Sequence, residues 1–275
     1  MEENTKKKTL KSKILDILII IIILIISIFF YSKYIEPKTL TIKETRISSN
    51  EIPSSFSGIK LVYISDILLG SSINIEELES IVSKIKELKP DILIYGGNLI
   101  YKDTNNKDKI ISLLTSIDST IGKYYVTGSL DKDEYTDILD KSNFIKLDNN
   151  YELLYYKSNT PICIYGISSY IKGNYKLDNL SNCKDYYTIF ISHEPDIVTK
   201  LSLEDTNLIL SGNTLGGEIS LPLLYKKYDG SNTYYKEYYS KENMYISNGI
   251  GTRSYHLRLL NKPSINLFRF KSTDN

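Results

Sequence analysis

Asp66 and His193 are the side chains whose type and setting best suit chemistry in this chain. Each follows an apolar run, in Ser65-Asp66 and Ser192-His193. Three more runs end in Gly96-Gly97-Asn98, Gly128-Ser129 and Ser211-Gly212. In α/β sheets, sites form at the carboxyl ends of strands. One such turn is usually a tight corner, so the signal lies in several ends converging on one crevice. A carboxylate and an imidazole are cation ligands or proton carriers. Their companions differ in kind. Leu68, Leu130 and Leu215 donate nothing to a metal, and the amides of Asn98 and Asn213 carry no charge.

The turns need strands and helices to hold them. Strands are predicted at 39–48, 59–65, 91–95, 123–127, 145–147, 151–156, 162–165, 187–192, 208–211, 244–247 and 264–270. Asn74 is a helix cap, and Ile75, Leu78, Ile81, Val82, Ile85 and Leu88 then line one helical face. Further helices are predicted at 108–117, 135–141 and 196–201. Strands alternate with helices early and dominate late. That order implies an α/β domain of two packed sheets with outer helices.

The chain has 275 residues, enough for one large domain with its own core. Its formal net charge is +1, so neither a nucleic-acid-binding basic surface nor an acidic tail is indicated. The two cysteines, Cys163 and Cys183, have no CxxC partner, which rules out a zinc knuckle. Two unpaired thiols is the plainer reading, and a disulfide is the alternative if the domain lies outside the cell.

Residues 1–13 are polar and carry Lys6, Lys7, Lys8, Lys11 and Lys13. An apolar run from 17 to 31 follows, with Ser27 its soft spot. At ~1.5 Å per residue it is short of a ~30 Å hydrocarbon core. Taking in Ile14 and Tyr34 makes it long enough, and Tyr31 and Tyr34 suit the interface. A cleaved signal peptide is the rival reading. However, Phe29, Phe30 and Tyr31 stand where small cleavage-site residues would be, which favours an uncleaved anchor. The lysine excess before the span puts the N-terminus in the cytoplasm and the domain outside. The expected organisation is a cytoplasmic tail at 1–13, a transmembrane anchor at 14–34, a short linker near Pro37 and a domain over 35–275.

The glycine turns also carry a resemblance. Gly58-Ile-Lys-Leu-Val-Tyr-Ile-Ser-Asp66, Lys89-Pro-Asp-Ile-Leu, Ser192-His-Glu-Pro-Asp196, Gly216-Gly217-Glu218 and Asn248-Gly-Ile-Gly-Thr252 occur in the order and surroundings of a known pattern. The chain resembles the calcineurin-like metallophosphoesterases, in particular their membrane-anchored bacterial branch. That resemblance implies an αββα sandwich and, in functional members, two divalent metal ions that cleave a phosphate ester. The family pattern runs D-x-H, G-D, G-N-H-D, a lone His, then G-H-x-H-G-G-Q. Here Asp66 keeps the first carboxylate, and Leu68 replaces the histidine after it. Asn98 stands at the metal-bridging carboxylate. Ser129 and Leu130 replace the asparagine and catalytic histidine of G-N-H-D. His193 keeps the lone histidine, and Asn213 and Leu215 replace the last two.

Two-metal hydrolysis needs close cations that lower the pKa of a bridging water. Such cations repel, so the bridging carboxylate matters most. Asn98 has its shape without its charge. In the family pattern Asp66 serves one metal and His193 the other, so each ion would keep a single strong ligand. Asp131, Glu218, Asp103 and His256 are candidate replacements, though structural or solvated roles suit them better. Neither a catalytic nor a metal-binding set is expected, and no cofactor. The resulting expectation is a membrane-tethered, inactive relative acting as a binding module, with a neutral and partly apolar former site. The alternative is an active hydrolase with a rebuilt metal site.

Overall fold

The computed structural model describes residues 10–102, 106–200, 206–220, 234–253 and 255–274. Asp103 and the end of the helix expected at 196–201 lie outside the described residues. In chain order, α1 (Leu10–Phe30) precedes β1 (Thr41–Ser49), β2 (Lys60–Ile64), α2 (Ile75–Leu88), β3 (Ile92–Tyr95) and α3 (Lys107–Thr115). Next come β4 (Gly122–Tyr125), α4 (Asp133–Lys141), β5 (Ile145–Lys146), β6 (Asn150–Leu154), β7 (Ile162–Gly166) and β8 (Thr188–Ser192). The last strands are β9 (Leu208–Ser211), β10 (Tyr238–Tyr239), β11 (Met244–Ile246) and β12 (Ser264–Ser272).

Two six-stranded mixed sheets result, ordered β1-β12-β2-β3-β4-β5 and β10-β11-β9-β8-β7-β6. Strands β2 to β5 are parallel, as are β7, β8, β9 and β11. Side chains alternate across each strand. Leu61 and Tyr63 point into the inter-sheet core with Ile164, Ile189 and Leu210. Val62 and Ile64 face the helical layer, against Leu78, Ile81 and Ile85 of α2. The far face of the second sheet carries Tyr165, Phe190 and Ile209 under Leu180 and Ile197. Sheets covered on both faces explain why the parallel strands read as unbroken apolar runs. Each fully buried aliphatic side chain stabilises the fold by about 1.5–3 kcal/mol.

Helix α2 begins in a full capping box, in which Asn74 and Glu77 satisfy each other's backbone amides. It ends at Lys89 in a left-handed conformation, ahead of Pro90. The helix expected at 196–201 is instead a 3-10 turn, Pro195–Lys200.

Two expectations need correction. Cys163 of β7 and Cys183 of a 3-10 turn form a disulfide, with Cα atoms 5.5 Å apart, so they are not unpaired thiols. Spacing could not show this, because a loop of 20 residues permits the approach but does not impose it. Closing such a loop stabilises by about 3 kcal/mol in the chain-entropy account.

The second correction concerns the linker near Pro37. Helix α1 runs on through a π-turn (Tyr31–Ile35) and a 3-10 turn (Glu36–Lys38). This segment is docked on the domain. Arg258 N donates to Ser32 O at 2.9 Å, and Asn261 N donates to Glu36 Oε1 at 2.5 Å. Glu36 is buried, 1% exposed, and Ser32 is 6% exposed. No residue of α1 itself is buried, and the segment Leu10–Lys38 is long and apolar enough to cross a membrane.

Candidate functional site

The parallel strands of both sheets place their carboxyl ends along one edge. Asp66 follows β2, Asn98 follows β3, Gly128 follows β4, His193 follows β8 and Asn213 follows β9. Backbone bonds knit these turns together. Asp66 N donates to Gly97 O at 2.9 Å, and Gly212 N donates to His193 O at 2.9 Å. Asp131 serves the same end. Its carboxylate accepts from Asn98 N (2.7 Å), Gly128 N (2.8 Å) and Leu99 N (3.0 Å), so it fixes backbone and is no spare ligand.

Asp66, Asn98 and His193 are fully buried and form one closed network. Leu130 N donates to Asn98 Oδ1 at 3.0 Å. A backbone N–H can only donate, so this contact fixes which end of the amide is oxygen. The amide nitrogen then faces His193 Nε2 at 2.6 Å and Asp66 Oδ1 at 3.1 Å. Gly96 O lies 2.5 Å from His193 Nδ1. A carbonyl carries no hydrogen, so Nδ1 holds the ring proton and Nε2 offers its lone pair. Each amide hydrogen of Asn98 therefore has an acceptor. Asp66 Oδ2 accepts from Asn213 N at 3.0 Å.

Glycine admits this density. A Cβ at Gly128 would sit 2.3 Å from Asn98 Oδ1 and 2.8 Å from His193 Cδ2.

A roof covers the network. Gly251 N and Ile250 N both donate to Asp66 O, at 2.8 and 3.2 Å. A Cβ at Gly249 (φ +67°) would meet Leu215 Cδ2 at 2.3 Å. Arg258, fully buried, donates to the carbonyls of Asn248 (2.8 Å), Gly249 (3.3 Å), Gly251 (2.6 Å) and Asn261 (3.1 Å). Burial pulls its pKa down to about 10, against the opposing pull of Glu218, Asp66 and Glu36, so it remains a cation at neutral pH. Arg253 Nη2 donates to Asn213 Oδ1 at 2.8 Å and also to Asn213 O.

The expected site residues therefore divide. Asp66, Asn98, His193 and Asn213 come together, with Leu68 and Leu215 buried beside the roof. Leu130 contributes its backbone, but its side chain is 36% exposed, so of the three leucines only Leu68 and Leu215 are enclosed. Arg253 and the roof's Arg258 were not foreseen, and they stand among the carboxylates of Asp66 and Glu218. Glu218 Oε1 accepts from Arg253 N at 2.8 Å, and His256 Nδ1 lies 3.1 Å from Thr252 Oγ1 in a separate groove. Ser129 is half-buried. A signal for the arginines does exist. Lysine is the usual cation of this chain, whereas the arginines are Arg46, Arg253, Arg258 and Arg269. A planar fork is what several converging carbonyls require.

The chain is 31% identical over 257 residues to the uncharacterized metallophosphoesterase YkuE of Bacillus subtilis, covering 89% of this chain and 90% of the relative. The chain belongs to the calcineurin-like metallophosphoesterase family. No family model matches it. A zebrafish (Danio rerio) transmembrane protein with metallophosphoesterase domain is 25% identical over 197 residues, covering 65% of this chain and 45% of that protein. The UDP-2,3-diacylglucosamine pyrophosphatase LpxG of Chlamydia trachomatis is 25% identical over 248 residues, covering 70% of this chain and 74% of that protein.

The metallophosphoesterase fold presents ligands to two divalent cations, and the donor set here does not fit that centre. By the family pattern the bridging carboxylate falls at Asn98, an uncharged amide whose nitrogen instead faces Asp66 Oδ1 and His193 Nε2. Among the described residues, no three His, Cys, Asp or Glu side chains gather as a metal-binding group. Asn98→Asp tests the network directly. It removes both donated hydrogens and sets a second carboxylate against Asp66. Stability is expected to fall by about 2–4 kcal/mol in urea titrations. Excess manganese is expected not to restore it, because Leu68 and Leu215 supply no ligand and Asn213 Oδ1 is held by Arg253. Unchanged stability, or full rescue by manganese, would contradict the assigned amide geometry.

Proposed function

We propose that this metallophosphoesterase-family protein is a membrane-tethered pseudo-phosphoesterase, a binding or interaction module that turns over no phosphoester. One observation carries the reading. The Asn98 amide hydrogen-bonds both Asp66 and His193, the two residues that match the family's ligand types. The backbone supports a derived origin. Leu68 (φ 54°) and Leu215 (φ 53°) hold left-handed conformations that cost an ordinary residue about 1–2 kcal/mol each. Equilibrium dialysis of purified protein against manganese or zinc is the test. Well under one ion per chain supports the reading, and near-stoichiometric binding abolished by Asp66→Ala overturns it.

An active hydrolase with a rebuilt site is the second reading. Retention of Asp66 and His193 and the likeness to a named pyrophosphatase favour it.

The proposed layout keeps 1–13 in the cytoplasm, a span over 14–34 and a domain over 35–275 outside. The lysines before the span support that orientation, as does the Cys163–Cys183 disulfide, since such bonds persist in oxidising compartments. Protease added to intact cells is expected to release the domain. A domain digested only after lysis would reverse the orientation.

A further inference from the structure

Where the anchor meets the domain there is a groove of about 490 Å³, between the juxtamembrane turns and helix α2. None of Asp66, Asn98, His193 or Asn213 lines it, so it is separate from the site above. Its floor is apolar, including Leu40, Ile73, Ile81 and Ile250. Its charged lining is Lys33, Lys38 and Lys84 against one carboxylate, Glu77. That carboxylate is engaged in the capping box, where its Oε2 accepts from Asn74 N at 3.0 Å. His256 also lines the groove.

Position and chemistry agree on an occupant. Lys33 and Tyr34 lie within one turn of Phe30, the last residue of the apolar helix. The hydrogen bonds of Ser32 and Glu36 to Arg258 and Asn261 hold that end against the domain. The groove therefore opens at the level of lipid headgroups when α1 spans the bilayer. Aliphatic walls with a few placed cations are what an amphiphile with an anionic head requires. We propose that this groove binds an anionic phospholipid of the adjoining leaflet, with its phosphate among Lys33, Lys38 and Lys84 and its glycerol and upper acyl chain on Ile73, Ile81 and Ile250. The proposal does not depend on whether the former metal site retains turnover.

The test uses full-length protein in nanodiscs of mixed phosphatidylcholine and phosphatidylglycerol, with lipid adducts counted by native mass spectrometry. Phosphatidylglycerol is expected to be retained in strong preference. Each lysine beside an anionic surface is worth roughly fivefold, so the triple variant Lys33→Gln, Lys38→Gln, Lys84→Gln is expected to lose at least about tenfold of that preference. Ser80→Trp fills the groove without touching a charge and is expected to lose it as well. The lysines before the span are present throughout and give a constant background. Inorganic phosphate added in excess is expected not to displace the lipid. Three results would overturn the proposal. The wild type retains both lipids equally, either variant keeps the full preference, or inorganic phosphate competes.

Discussion

Full-length protein given manganese and an activated aryl phosphate is expected to turn over no faster than its own Asp66→Ala variant. The reason is the source of the nucleophile. A cation lowers the pKa of bound water from ~15.7 to ~7, and hydrolysis at neutral pH rests on that hydroxide. By the family pattern the bridging carboxylate falls at Asn98, an uncharged amide, the general-acid histidine at Leu130, and further ligands at Leu68, Ser129, Asn213 and Leu215. Such groups act as a unit, so their losses are far from additive and no partial rate is expected to survive. Asp66 is also committed, with Oδ1 accepting from the Asn98 amide and Oδ2 from Asn213 N. Elemental analysis belongs in the same experiment. Metal near stoichiometry, together with turnover that vanishes in Asp66→Ala, would falsify the pseudoenzyme reading.

Arg258→Met should be among the most damaging single substitutions, with an expected loss of about 4 kcal/mol or more. Its guanidinium donates to four buried carbonyls of two loops, those of Asn248, Gly249, Gly251 and Asn261. Removing it strands acceptors that cost about 1–3 kcal/mol each when buried without a partner, though the loops will relax part of that away. Arg258→Lys keeps the charge but offers a point instead of a fork, so about 2–3 kcal/mol is still expected to go. The contrast is Arg269→Met. That arginine pairs with Glu44 at 2.6 Å on the surface, where both side chains are exposed and solvent screens them, and its loss is expected to be undetectable. Thermal and urea denaturation of the variants is the measurement. Equal stabilities for the Arg258 and Arg269 variants would remove Arg258 from its role as keystone of the roof.

Most of the sheet framework was legible because local and global signals agree. In the stretches around Leu61–Tyr63 and Ile189–Ile191 the apolar runs are buried on both faces, so burial itself writes the strand into the sequence. Asn74 announced its helix through a cap whose partners lie three residues away. The short strand β10 escaped because Tyr238 and Tyr239 pair with only two residues of β11 and carry no periodicity. At the site, the residues that converge were readable from their glycine turns. Side-chain direction was not. Leu130 meets the site through its backbone N–H while its side chain is partly exposed, a division that residue type does not encode. The Arg258 guanidinium bonds carbonyls within ten residues of itself and was hidden because the fold of its own loop, not spacing, brings them together. Arg253 depends instead on Asn213, 40 residues away. Docking of Glu36 on Asn261, 225 residues later, was hidden for the same reason.

That docking has a mechanical consequence. A domain on a flexible leash sweeps a hemisphere and meets partners at many heights and tilts. This one is tied to the end of its apolar helix by the bonds of Ser32 and Glu36, which limit how far it can swing. When α1 spans a bilayer, its encounters become nearly two-dimensional, since molecules within a narrow range of heights and on one side of the helix meet a given surface patch. Lengthening the Glu36–Lys38 turn would leave every contact surface of the domain chemically intact while taking away its aim.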